Sequence, residues 1–285
     1  MFWQTTRFQL DLSRPRVMGI VNVTPDSFSD GGQFAETRAA LAHCERLVLE
    51  GADILDIGGE SSRPGAKALG VEDEWTRLGP VLQEALKLGV VVSVDSFKPE
   101  IMRRSLALGV DIINDIQAFR LPGALQALLE HGRAGLCAMH MRGDSATMQG
   151  LSDYEDVVQE VRGFLAQSLA TLSSAGISPQ RIVLDPGYGF AKTTPQNFEL
   201  LRRQTELLDL GRPLLVGWSR KRALGDATGR AVDERLIPSV AAALLAAERG
   251  AKILRVHDVA ATVDALKVFT ACHHGLAPPA NAAQN

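Results

Sequence analysis

The stretch GADILDIGGE, residues 51–60, decides the fold. Gly51 stops a helical stretch, an apolar run follows from Ile54 to Ile57, and the run gives way to Gly58, Gly59 and Glu60. Such a run is too short for a helix and too apolar for a strand with one wet face. It reads as a strand buried on both faces, which a parallel sheet covered by helices provides. Seven further runs repeat the arrangement: Val17–Val21 before Asn22, Val90–Val94 before Asp95, Ile112 and Ile113 before Asn114, Leu136–Met139 before His140, Ile182–Leu184 before Asp185, Leu214–Val216 before Ser219, and Ile253–Val256 before His257. Each is followed by a helix-like stretch. Eight such strands predict an α/β protein made of a single (β/α)8 TIM barrel, whose strand ends converge on one mouth where polar residues carry chemistry. Asp56 lies within the first run, and strand alternation directs it inward.

Length and composition agree. At 285 residues the chain slightly exceeds the roughly 250 typical of one such barrel, so residues 1–275 are expected to form one domain and the small, polar segment 276–285 a disordered tail. A net charge of −3 gives no general attraction to nucleic acid or to an anionic membrane, and any anionic ligand must be met by local positive groups. No run approaches membrane-spanning length, and the polar segment from Met1 to Leu10 is unlike a secretory signal. Cys44, Cys137 and Cys272 are far apart and odd in number, which fits core thiols in a reducing compartment; a cytoplasmic location is expected.

Helices are expected over Ala35–Glu50, Glu72–Leu88, Pro99–Leu108, Tyr154–Ala175, Leu236–Arg249 and Val259–Cys272, most of them closed by a glycine. Two connections are longer than geometry requires, NVTPDSFSDGGQ at 22–33 and GGESSRPGAKALG at 58–70. Loops of this length usually bind or cover something. Turn formation by Thr24, Pro25, Asp26 and Gly31 is the plainer alternative, but Phe28 has no core to join among its polar neighbours.

The segments MGIVNVTPDSFSDGG at 18–32, DIGGESSRPGA at 56–66, SVDSFKPE at 93–100, INDI at 113–116, MHM at 139–141, LDPGYGFAK at 184–192, LLVGWSRK at 214–221 and RVHD at 255–258 together resemble the dihydropteroate synthases, the folate-pathway members of the pterin-binding barrels. The resemblance runs from about Arg16 to Phe269. It implies condensation of 6-hydroxymethyl-7,8-dihydropterin diphosphate with 4-aminobenzoate to 7,8-dihydropteroate and pyrophosphate. It also implies sulfonamides as competitive inhibitors, a magnesium ion held by Asn22, and a homodimer packed through late helices.

That reaction makes separable demands. The leaving diphosphate needs donors and positive charge, for which Ser62, Arg63, Arg255 and His257 stand at the expected mouth beside Asn22. The aminopyrimidinone edge of the pterin needs a carboxylate and a cation or amide donor, supplied by Asp185, Asn114, Asp95, Lys221 and Asp56, with Arg255 against the ring face and Met139, Ile116 and Phe190 as walls. The 4-aminobenzoate slot would use Phe28, Pro64 and Phe190, with Ser219 and Lys221 at the carboxylate. Asp95, Asp185, Lys221 and Asp30 form the catalytic set, Asp30 approaching the metal when the first loop closes. A turn or capping role is the alternative for Asn22, Asp30 and Asp185. The chain departs from the commonest pattern at Ser62, Ser96, Phe97, Tyr188 and Trp218, which bears on pocket shape and sulfonamide susceptibility. A methyltetrahydrofolate-binding methyltransferase barrel and a catalytically silent paralogue are the other readings; the two long loops argue against the first, and the intact Asn22, Arg63, Asp95, Lys221, Arg255 and His257 against the second.

Overall fold

A computed structural model of the chain describes residues 1–23, 32–61 and 69–275, without the side chains of residues 32–35, 149 and 274. Phe28, Asp30, Ser62, Arg63 and Pro64, most of both long loops, and the segment 276–285 therefore lie outside the described residues.

Two short strands, β1 (Phe2–Gln4) and β2 (Gln9–Asp11), form an antiparallel hairpin that the sequence reading did not anticipate. The eight anticipated strands follow: β3 (Arg16–Asn22), β4 (Ile54–Gly58), β5 (Val91–Asp95), β6 (Ile112–Asp115), β7 (Gly135–Met139), β8 (Ile182–Asp185), β9 (Leu214–Val216) and β10 (Ala251–Val256). They close into a barrel in chain order, with β10 pairing β3, and every pairing is parallel.

The interior at the amino-terminal end takes one side chain from each strand: Met18, Ile54, Val91, Ile112, Cys137, Val183, Leu215 and Ile253. Trp3 and Leu12, both fully buried, seal this layer from below. The Trp3 indole donates a hydrogen bond to the Arg181 carbonyl at 2.9 Å. Gly135 makes room for that indole, because a Cβ there would lie 3.0 Å from its nitrogen and 3.2 Å from the Gln4 carbonyl oxygen. The polar amino terminus is thus a stopper for the barrel.

Outside the strands lie α1 (Gly32–Leu49), α2 (Val71–Ala85), α3 (Pro99–Leu108), α4 (Ala124–Glu130), α5 (Val157–Ser174), α6 (Thr194–Arg202), α7 (Arg222–Thr228), α8 (Leu236–Glu248) and α9 (Val259–His274). The sheet's outward side chains and the helices' apolar faces form the larger core. Pro99 opens α3 where a missing amide costs little, and Gly109 closes it at φ 89°. The fifth helix begins at Val157, later than the expected Tyr154, because Asp156 caps it by accepting from the Val158 and Gln159 amides. Helices α4, α6 and α7 have seven to nine residues, too few turns for a clear apolar period.

Candidate active site

Side chains on a strand alternate in direction, so the next inward positions lie two residues beyond the basal layer. They are Ile20, Asp56, Ser93, Asn114, Met139, Asp185, Gly217 and Arg255. Two further on stand Asn22, Gly58, Asp95, Ile116, Met141, Gly187, Ser219 and His257. The barrel is therefore apolar at its base and turns polar toward the carboxyl ends of its strands.

Asp56 is the centre of this polar floor. Fully buried, it accepts hydrogen bonds from Ser93 Oγ at 2.6 Å, Asn114 Nδ2 at 3.2 Å and Arg255 Nε at 2.6 Å. Arg255 donates its other arm to Asp95 at 2.6 Å. Burial opposes the guanidinium charge, and the two carboxylates more than restore it. The cation is thus shared between Asp56 and Asp95, with its side chain still 20% exposed. Burial pushes the Asp95 carboxyl up to about 7, against the pull of Arg255.

Asp185 closes β8 in a different setting. Its carboxylate accepts from the Gly187 amide at 2.7 Å, and its carbonyl accepts from the His140 amide at 2.9 Å. Burial raises the carboxyl to about 6, while that amide, Lys221, Arg255 and Lys192 favour the anion. Gly187 turns the chain here at φ 69°; a Cβ at this position would sit 2.0 Å from the His140 carbonyl oxygen, so no other residue fits. Phe190 follows, with Lys221 Nζ 4.1 Å from its ring centroid. Burial, with Arg255 nearby, lowers the Lys221 ammonium to about 8. Ile116, Met139, Met141, Met148 and Ala191 form a separate apolar cluster at this end, with Phe97 and Phe190 packed on it.

The third group is Ser219 and His257. Ser219 Oγ lies 2.9 Å from His257 Nδ1 and accepts from the His257 amide at 3.2 Å. Burial and the neighbouring Arg220 and Arg255 lower the imidazole to about 3, so His257 offers a neutral hydrogen-bonding edge. Asn22 is exposed at the end of β3 and shares with His257 a groove of about 690 Å³ that runs between α1 and α9.

The structure thus gathers Asp56, Asp95, Asn114 and Arg255 into one network, Asp185, Phe190 and Lys221 into a second, and Ser219 with His257 into a third. Glu60, expected to end a strand at the mouth, instead pairs with Lys98, which also holds the buried Glu74. Tyr188 and Trp218 are buried against each other, Trp218 also packs on Phe198, and the Tyr188 hydroxyl donates to Gln204 at 3.0 Å. Ser93 went unnoticed, although its place two residues past Val91 gives it away. Lys192 also went unnoticed, since nothing near it in sequence marks it as buried. Among the described residues no group of three or more His, Cys, Asp or Glu side chains is arranged to hold a metal ion.

Residues 18–257 match the family described as pterin binding enzyme. The dihydropteroate synthase of Neisseria meningitidis serogroup B is 51% identical over 275 residues, covering 94% of this chain and 96% of that protein. A solved structure of Xanthomonas albilineans dihydropteroate synthase with 4-aminobenzoic acid, 51% identical, superposes with a TM-score of 0.88 over 93% of this chain and 96% of its own. The Yersinia pestis enzyme in a sulfonamide drug complex, 42% identical, gives 0.90 over 96% and 99%. A barrel whose mouth is built in this way, matched along nearly its whole length, belongs to the dihydropteroate synthases among the pterin binding enzymes.

Proposed function

We infer that this chain condenses 6-hydroxymethyl-7,8-dihydropterin diphosphate with 4-aminobenzoate, giving 7,8-dihydropteroate and pyrophosphate, and that sulfonamides compete for the 4-aminobenzoate place. The observation that carries the reading is the set of buried Asp56, Asn114 and Asp185 with partly buried Asp95, Lys221 and Arg255 at one end of the barrel, in a chain so similar to enzymes of that name. Asp185 and Lys221 present adjacent acceptor and donor to the pterin edge, Asn114 adds an amide, and Arg255, fixed flat by two carboxylates, offers a planar face to the ring.

The reaction breaks the bond between the exocyclic methylene and the diphosphate oxygen, and the electron pair leaves with the diphosphate. The cation left behind is delocalised over the dihydropterin ring. Asp95 and Asp185, fixed before the reaction starts, stabilise that charge; the neutral amine then attacks the methylene and releases a proton. Neither step needs a covalent link to the protein. Ser219 and the neutral edge of His257, with Ser62 and Arg63, serve the diphosphate and carboxylate ends, and Phe28, Pro64 and Phe190 the aminobenzoate ring. Asn22, a neutral oxygen ligand at an exposed rim, would hold a magnesium ion there, and the carboxylate of Asp30 is a second candidate. When bound, the ion supplies charge neutralisation at the diphosphate oxygens.

No helix among the described residues is long and apolar enough to cross a membrane. Free Cys44, Cys137 and Cys272 support a cytoplasmic location. Exposed Leu236, Ile237, Leu245 and Val268 on α8 and α9 support a homodimer through these helices, which sedimentation of Ile237→Asp would test by yielding a monomer. For the reaction itself, the protein should be incubated with pterin diphosphate, 4-aminobenzoate and magnesium, and the product identified by mass. Absence of dihydropteroate, or methyl transfer from methyltetrahydrofolate in its place, would overturn the reading.

A further inference from the structure

Lys192 is a lysine sealed inside the protein, 7% exposed, at the far end of the loop that begins with Asp185. Its Nζ donates to the carbonyl oxygens of Gly187 at 2.9 Å and Phe190 at 3.0 Å, and shares a third hydrogen bond with His140 Nδ1 at 2.9 Å. The three partners matter more than their number. Gly187 is the residue whose amide holds the Asp185 carboxylate, and Phe190 is the ring beneath Lys221. His140 follows β7 and is itself fixed, edge-on to Phe164 at 4.9 Å and through its amide to Asp185.

The loop needs such a clamp. It contains Gly187, Gly189 and Ala191 at positive φ, and at Ala191, with φ 49°, this conformation is costly. Asn197 of α6 secures the outer side, accepting from the Gly189 amide at 2.7 Å and donating to the carbonyls of Lys192 and Thr193. Without the ammonium, the Phe190 carbonyl would lose its donor and the Gly187 carbonyl would keep only the Phe190 amide at 3.1 Å. We infer that Lys192 is a positioning residue for the pterin end of the site: it gathers Gly187, Phe190 and His140 around one buried nitrogen and thereby fixes the Asp185 carboxylate and the Phe190 ring against Lys221. The inference rests on the assignment of Asp185 and Phe190 to the pterin.

A merely structural lysine would not alter the titration of its neighbour, and this one should. The charged groups facing Asp185 are Lys221, Arg255 and Lys192, and those facing Lys192 are Asp185, Lys221 and Arg142, with His140 in contact. Burial lowers the lysine to about 7, above the value of about 6 for Asp185, so it is largely a cation at the midpoint of Asp185 ionisation. Removing that charge makes ionisation of Asp185 harder.

The test compares Lys192→Met and Lys192→Arg with the unmodified enzyme, following kcat and KM for each substrate from pH 5 to 9 and checking each fold by thermal melting. For Lys192→Met, kcat/KM for pterin diphosphate should fall at least about tenfold, the KM for 4-aminobenzoate should change less than about threefold, and the acid limb should move to higher pH. Lys192→Arg should restore the acid limb but only part of the rate. A folded Lys192→Met enzyme with an unchanged KM for the pterin and an unmoved acid limb would overturn the inference. If that variant does not fold, the lysine ammonium spectrum of the unmodified protein at pH 6 decides: a protected Lys192 signal that shifts with pterin diphosphate supports the role, and one that does not shift refutes it. Loss of dihydropteroate formation in the unmodified protein would instead count against the assignment of the reaction.

Discussion

Replacing Asp56 with alanine should damage both the fold and the pterin site, and the structure sets the size of the effect. Asp56 accepts three hydrogen bonds in full burial, one of them from Arg255. Removing one partner of a buried ion pair costs about 3–5 kcal/mol when the remaining charge is stranded. Arg255 is not stranded, because Asp95 still holds its other arm. That places the ion-pair loss at or below about 3 kcal/mol. The Ser93 hydroxyl, however, is fully buried and loses its acceptor, which adds about 1 kcal/mol or more. Asp56→Ala should therefore lower stability by about 4 kcal/mol. Asp56→Asn, which keeps one acceptor oxygen, should cost about half as much. Urea unfolding followed by tryptophan fluorescence measures both, and a cycle with Arg255→Met isolates the pair, whose coupling should exceed about 1 kcal/mol. The KM for pterin diphosphate should rise in the alanine variant, since Asn114 and Arg255 both lose an anchor. A cost below about 1 kcal/mol for Asp56→Ala, or strict additivity with Arg255→Met, would refute the view that Asp56 organises the floor of the site.

Asp185→Ala should weaken binding of the pterin diphosphate at least about tenfold, read by calorimetry, because a hydrogen bond to a charged group contributes roughly 1.5–3 kcal/mol; an unchanged affinity would remove Asp185 from the pterin edge. The pH profile of kcat/KM should be bell-shaped. Asp185, with its carboxyl near 6, acts ionised, so activity falls as pH drops through that value, and Lys221, near 8, acts protonated, so activity falls as pH rises through that one. Asp95 interacts with the same cations, so the acid limb belongs to the cluster as a whole. Asp185→Asn should therefore move that limb without abolishing it, and a limb left unmoved would take Asp185 out of the titrating cluster. Trp3→Ala should cost about 3–5 kcal/mol in a thermal or urea melt while leaving kcat nearly unchanged at a temperature where the variant is folded, because the stopper lies at the opposite end of the barrel from the chemistry.

How much of this was legible before the structure depends on whether a contact follows from the period of a strand. The eight barrel strands were readable because each is an apolar run with its polar residue at the carboxyl end, and the same period orders the interior. Counting by two from Met18, Ile54, Ile112, Val183 and Ile253 reaches Ile20, Asp56, Asn114, Asp185 and Arg255, and counting by two again reaches Asn22, Ile116, Gly187 and His257. Ser93 obeys the rule as well as Asp56 does and was missed because serine draws less notice than aspartate. Three other features obey no local rule. Trp3 finds its acceptor 178 residues away at Arg181, Lys192 finds His140 52 residues back, and Lys98 reaches Glu60 38 residues back. A period reports the direction of a side chain but not the identity of its partner. The polar residues at the strand ends are therefore readable in such a barrel, since their address is the end of a strand. The residues that hold them in place are not, since their partners are brought to them only when the barrel closes.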